Sequence, residues 1–213
     1  KKLWSPLNTP DYPPYIAQIE DCDAVCVGLA GSNPIKFIKQ AKGLALKPKL
    51  VGGSTVADDT AMTVYGDEVE GVINTNPYSL DVESEANNRF ISGMRKNYGK
   101  DVNIGHYAAC FYLDGLVIEA ALAKTGGKAD NSDEFVKAVR SVMLADTPRG
   151  PVSFDDHGNV IIDVFVRRAE RQGSRMVNKT IKTYHKVSQF WTFDPKWFLQ
   201  QPVYSRDYPP MKG

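Results

Sequence analysis

The chain has 213 residues, 42% of them hydrophobic and 24% charged, which is enough for one domain or two small ones with a buried core. Its 26 basic and 25 acidic side chains nearly cancel, and this balance argues against a nucleic-acid-binding protein. The mean hydropathy is −0.34, and the apolar runs are far shorter than the roughly 18 residues of a membrane span.

The first 52 residues alternate between strand and helix patterns. Strands are predicted at residues 3–7, 24–27 and 49–51. Between them, Asp11 is a candidate cap for a helix with apolar residues every three or four positions. Asn33 is a candidate cap for another helix, with Pro34 at its first position. Repeated strand–helix units of this kind are typical of a parallel sheet covered by helices.

After a fourth predicted strand at residues 72–75, the pattern changes to helices. They are predicted at residues 85–98, 107–123 and 135–143. Strands return at residues 152–154, 160–166 and 176–184, the last after a turn at Gln172-Gly173. The tail is rich in aromatic residues and proline, with a short helix predicted behind Asp194.

The central helix poses a packing problem. Residues 107–123 contain only two charged residues, Asp114 and Glu119, and a helix that is apolar nearly all round must be buried nearly all round. The segment 77–145 contains no strand to cover it. We therefore expect that residues upstream of Lys1, or another polypeptide, supply the apolar surface that covers this helix. A start at lysine instead of methionine favours upstream residues.

The order of these segments resembles the C-terminal part of a type I periplasmic binding protein of the Leu/Ile/Val-binding family, the solute receptors of ABC importers. The resemblance lies in Asp11-Tyr12, residues 23–28, 37–41, 51–53, 66–72 and 107–112, and in Arg149-Gly150-Pro151-Val152-Ser153-Phe154-Asp155 with Gly158-Asn159. Residues 187–191 and 202–209 of the tail resemble a subset of that family associated with the uptake of aromatic acids.

The resemblance implies a two-lobe α/β fold with doubly wound parallel sheets, of which this chain lacks most of the first lobe. Residues 1–76 and 147–185 would then form the second lobe, residues 77–146 would be helices returning to the first, and residues 186–213 would be the tail. It also implies a periplasmic or an extracellular, membrane-associated location, a membrane permease as partner, and the missing N-terminal half of the same protein. It implies neither a cofactor nor bound nucleic acid.

Ligands of open parallel sheets bind beyond the carboxyl ends of the strands, which here are residues 28–33 and 52–56. The first of these loops leads into a helix N-terminus that favours an anion, although every strand–helix turn also needs a cap. The resemblance places the ligand contacts at Leu29, Ala30, Gly31, Ser54, Thr55 and Tyr107. Aromatic residues at helical spacing more often pack in the core, which is the alternative for Tyr107.

Ser54 and Thr55 suggest the chemistry of the ligand. Amino-acid receptors of the family usually carry a carboxylate at the position of Ser54, which pairs with the ammonium group of the ligand. A hydroxyl cannot neutralise a buried ammonium, so we expect an amine-free ligand such as an aromatic carboxylate. A receptor for a branched-chain amino acid or an amide, and a ligand-sensing regulator with the same fold, remain alternatives.

Other motifs favour structural roles. Asp155-Asp156-His157 precedes Gly158-Asn159 and is interpreted as a hairpin turn instead of a catalytic group. His106 and Cys110 have the spacing of two metal ligands, but no third is recognisable, and Cys22 and Cys26 are expected to be buried free thiols. The sequence Asn178-Lys179-Thr180 matches a glycosylation sequon by pattern alone. Neither G-x-S-x-G nor G-x-x-x-x-G-K occurs, so we predict a binding protein and not an enzyme.

Overall fold

The computed structural model describes residues 1–210. Its helices are Pro13–Ile16 (α1), Asn33–Gly43 (α2), Glu85–Tyr98 (α3), His106–Lys124 (α4), Ser132–Arg140 (α5) and Pro195–Leu199 (α6). Its strands are Ala24–Val27 (β1), Lys49–Gly52 (β2), Ile73–Asn76 (β3), Ser153–Phe154 (β4), Val160–Gln172 (β5) and Arg175–Val187 (β6). No helix within residues 1–210 is both long and apolar enough to cross a lipid bilayer.

The strands form one mixed sheet whose first part is parallel, as predicted. β1 pairs with β2 and β2 with β3, all in parallel, whereas β5 runs antiparallel to β3. β4 and β6 both pair antiparallel with β5, and β5 and β6 form a long hairpin. β1 therefore lies at one end of the sheet, with β2 as its only strand neighbour among residues 1–210.

α3 has the predicted bounds and α6 begins behind Asp194 as predicted, whereas α5 lies three residues earlier than the predicted range of 135–143. Ser84 caps α3 by accepting a hydrogen bond from the Asn87 N–H at 3.1 Å, and the helix ends at Gly99, which has a φ of +94°. Asn131 caps α5, and Asp194 caps α6 by accepting from the Trp197 N–H at 2.8 Å. These three caps form locally because each cap and its donor are close in sequence.

Three predictions in the first half are wrong. Residues 3–7 form no strand, because no strand lies beside them among the described residues. Asp11 caps no helix: α1 is a single turn whose N-cap is Tyr12, without a side-chain cap. Asn33 lies inside α2 and donates a hydrogen bond to the Leu7 carbonyl at 3.0 Å, so its side chain holds a neighbouring segment instead of capping.

The prediction of buried thiols at the first two cysteines is also wrong. Cys22 and Cys26 are free and exposed, and Cys110 is free and half-buried. Cys26 lies on β1, and its exposure follows from the position of that strand at the end of the sheet.

The apolar side chains gather in three clusters. The largest packs α1 and α2 against the parallel strands, a second lies between α4, α5 and the strands β4 and β5, and a third joins α3 to the start of α4. Within α4, Leu113 and Val117 are buried, but Phe111 is 74% exposed and Ile118 is 48% exposed. Residues 1–210 thus cover one side of this apolar helix and leave the other side exposed. This agrees with the expectation that the surface covering the helix is not complete in this chain.

Candidate functional site

The loops after β1 and β2 meet at the carboxyl end of the parallel strands. The Thr55 hydroxyl donates a hydrogen bond to the Leu29 carbonyl at 2.8 Å and so ties one loop to the other. Ala30 and Gly31 are exposed beside this contact, and Gly31 has a φ of +65°, which glycine adopts without strain. Ser54 is half-buried next to Thr55. The structure therefore brings five of the six predicted contacts into one pair of adjoining loops.

Tyr107, the sixth predicted contact, joins this region through the N-terminus of α4. Asp58, in the loop after β2, accepts a hydrogen bond from the His106 N–H at 3.2 Å and two more from Thr60. A Cβ at Gly105 would lie 2.6 Å from Asp58 Oδ1, so only glycine allows this close approach. Tyr107 itself is 59% exposed, which excludes the alternative that it packs in the core of residues 1–210.

Arg149 was missed by the sequence analysis, which used it only as part of a family motif. Its side chain reaches the same end of α4: Nη1 donates to Cys110 Sγ at 3.1 Å, and Nε donates to the Pro77 carbonyl at 2.9 Å. The residue is only 5% exposed, and among residues 1–210 no carboxylate lies within ion-pair distance of the guanidinium. Asp114, which is exposed on α4, makes no ion pair with the guanidinium and favours its positive charge only from a longer distance.

Burial also sets the charge state around Arg149. Burial and the Arg149 charge lower the pKa of His106 below its usual value. Burial raises the pKa of the Cys110 thiol, although Arg149 opposes this shift. Imidazole and thiol are therefore both uncharged near neutral pH, and Arg149 keeps a positive charge that neither neighbour balances.

A second buried arginine holds the segment that follows β3 to the sheet. Arg167 on β5 is fully buried and pairs with Asp59 at 2.7 Å. It also donates to the side chain of Asn74 and to the Tyr78 carbonyl. Asp59 accepts a further hydrogen bond from Asn178 at 2.9 Å. The loop after β2 that carries Ser54 is thereby fixed to β3, β5 and β6.

The Asp155-Asp156-His157 motif forms the turn that its sequence predicts. Asp155 accepts hydrogen bonds from the backbone of His157 and Asn159, as a turn requires. Asn178 is 5% exposed and bonded within the Arg167 network, so in the folded chain its amide is inaccessible for glycosylation. His106 and Cys110 lie 3.6 Å apart, but residues 1–210 contain no group of three or more possible metal ligands.

Residues 3–174 match the family model of the periplasmic binding proteins. No curated protein matches the chain. Solved structures do match. One is a solute-binding protein of an ABC transporter from Rhodopseudomonas palustris BisB5 in complex with 3,4-dihydroxybenzoic acid, with 28% identity, a TM-score of 0.75, and 86% of this chain and 51% of that chain covered.

A second solute-binding protein from R. palustris, in complex with 4-hydroxybenzoate, matches with 27% identity and a TM-score of 0.78, again over 86% of this chain and 51% of that one. A leucine-binding protein from Thermotoga maritima matches with a TM-score of 0.69 over 84% of this chain and 49% of that one, but at 18% identity, which shows a shared fold only. The chain thus spans about half the length of the solved structures that it resembles.

Proposed function

We propose, since the chain belongs to the periplasmic binding protein family, that it is part of the solute-binding component of an ABC importer and captures a small aromatic carboxylate. In this proposal the ligand lies between the strand-end loops and the start of α4, in contact with Leu29, Ala30, Gly31, Ser54, Thr55 and Tyr107. A second lobe closes over it, and the closed form docks on a membrane permease in the periplasm.

The observation that carries the proposal is the unbalanced charge of Arg149. A buried guanidinium without a carboxylate costs several kcal/mol unless an anion reaches it. The carboxylate of a bound acid would supply that anion beside Cys110 and the first turns of α4. Within the same region, Ser54 and Thr55 offer hydroxyls and no charge to an ammonium group.

The solved structures give independent support for the class of ligand. Both matches above that exceed 25% identity hold a hydroxylated benzoic acid, whereas the leucine-binding match is below that level.

Calorimetric titration of the full gene product tests the proposal. Benzoate and 4-hydroxybenzoate should bind, and benzyl alcohol, which keeps the ring but lacks the carboxylate, should bind much more weakly. Tight binding of leucine with no heat from either benzoate would refute the proposal and favour the amino-acid receptor. Turnover of a benzoate would instead indicate an enzyme.

A further inference from the structure

Several aromatic side chains near the C-terminal end are exposed within residues 1–210. Trp191 and Phe193 are each 50% exposed, Trp197 is 49% exposed, and Phe198 and Leu199 are exposed beside them. The rings of Phe193 and Trp197 stack with their centroids 5.3 Å apart. An exposed group of large apolar side chains on a folded protein commonly marks a site of interaction. We call these five side chains the aromatic surface.

The aromatic surface is fixed to the folded domain. Phe190, which is buried, lies with its ring centroid 5.6 Å from that of Phe198 and 5.6 Å from that of His157 in the turn between β4 and β5. Tyr184 on β6 packs edge-on against Trp191 at 5.0 Å. Buried contacts at both ends therefore hold the exposed rings in defined positions.

Basic side chains lie in the same part of the chain. Residues 175–199 contain five lysine or arginine residues and a single carboxylate, Asp194, whereas acidic residues outnumber basic ones in the rest of the chain. That carboxylate is already engaged as the N-cap of α6. Lys182 and Lys196 are exposed, the first with its Nζ 4.5 Å from the centre of the Tyr184 ring and the second within α6. Exposed aromatic rings and positive charge thus occur together.

This combination fits the interface of an anionic lipid bilayer. Aromatic rings take positions at the level of the lipid headgroups, and lysine side chains extend their ammonium groups towards the phosphates. A second copy of the chain fits less well, because it would bring the lysines of both copies together. An apolar patch on another protein would cover the rings but would leave the lysines without partners.

We propose that the aromatic surface, together with Lys182 and Lys196, binds the surface of an anionic lipid bilayer. The rings of Phe193 and Trp197 enter the headgroup region, and the two ammonium groups contact lipid phosphates. This inference goes beyond the proposed function and rests on it only for the periplasmic location, where a membrane lies beside the protein. Contact with the bilayer would hold the protein near the permease and so raise its local concentration there.

Co-sedimentation of the full gene product with lipid vesicles tests the contribution of the rings. Vesicles of phosphatidylcholine alone are compared with vesicles that contain about one third phosphatidylglycerol, an anionic lipid. The F193S/W197S variant should bind the anionic vesicles at least about tenfold more weakly than the unmutated protein, because both rings are lost from the interface. The matched control is Y98S, which changes a 71% exposed aromatic residue on α3 and should leave vesicle binding unchanged.

Substitution of two lysines tests the charge separately and leaves the aromatic rings in place. K182Q/K196Q should bind the anionic vesicles about tenfold more weakly, and binding of the unmutated protein should fall as the salt concentration rises. The control K100Q/K128Q changes two lysines that are exposed elsewhere on the chain and should hardly alter binding. Benzoate calorimetry should give the same affinity for all these variants, which separates failure of this proposal from failure of the proposed function.

Equal binding to neutral and anionic vesicles, or no binding to either, would overturn the proposal. An equal loss of binding in a variant and in its matched control would also overturn it, because the contact would then lie elsewhere on the protein. A dimer that F193S/W197S dissociates, without vesicle binding, would assign the surface to a second copy. Binding only to vesicles that contain the permease would assign it to a membrane protein and not to the lipid.

Discussion

Replacement of Asp59 by alanine tests how much the buried Arg167 network contributes to the fold. The exposed fractions of the two side chains are 4% and 0%, and the carboxylate accepts from Arg167 at 2.7 Å and from Asn178 at 2.9 Å. Without Asp59, Arg167 keeps neutral acceptors at Asn74 and Tyr78 but has no counter-charge. Removing one partner of a buried ion pair typically costs about 3–5 kcal/mol.

The loss can be measured by urea unfolding followed by circular dichroism. With a loss of about 4 kcal/mol and a slope of about 2 kcal/mol per molar urea, the midpoint of the D59A variant should fall by roughly 2 M without a change in slope. An R89A variant is the surface control, because Arg89 pairs with Glu85 and Asp146 at exposed positions, and its midpoint should hardly move.

The double variant D59A/R167M separates charge from packing. Because methionine at position 167 removes the unpaired buried charge of Arg167, the double variant should be more stable than D59A alone. A midpoint shift below about 0.5 M for D59A, or a double variant less stable than D59A, would refute the view that an uncompensated buried charge dominates the loss.

Three further outcomes are expected. Arg149→Gln should weaken benzoate binding by about 10- to 100-fold, the equivalent of one charged hydrogen bond, and leave benzyl alcohol binding unchanged in calorimetry; an equal loss for both compounds would count against a carboxylate contact. Tyr107→Ala should weaken benzoate binding by roughly 0.5–1.5 kcal/mol without lowering the melting temperature, since the ring is 59% exposed; a stability loss with intact binding would show a packing role instead. Because burial lowers the pKa of His106, the unfolded state binds its proton more readily, and stability should fall as the pH drops through about 6.5. Denaturant midpoints measured between pH 8 and 5 should fall less for the H106Q variant than for the unmutated chain. The control is H157Q, which changes a histidine in an exposed turn. Identical pH profiles for H106Q and the unmutated chain would contradict the role of His106 in this loss of stability.

Sequence alone determined the features whose signals are local. The bounds of α3 follow from its apolar face and from Gly99 at its end, and the β5–β6 hairpin follows from two strand-like segments around Gln172-Gly173. The parallel order of β1 to β3 follows from repeated strand–helix units. The apolar excess of α4 also predicted correctly that residues 1–210 leave part of this helix uncovered.

Only the tertiary structure decided which distant residues meet. Arg149 contacts Pro77, 72 positions away, and Arg167 contacts Asp59, 108 positions away; nothing near either arginine in the sequence indicates its partner. The same holds for residues 3–7, where a strand-like sequence forms no strand because a strand exists only when a neighbour completes its hydrogen bonds. Periodicity and capping act over a few residues, whereas buried charge and strand pairing depend on the whole sheet.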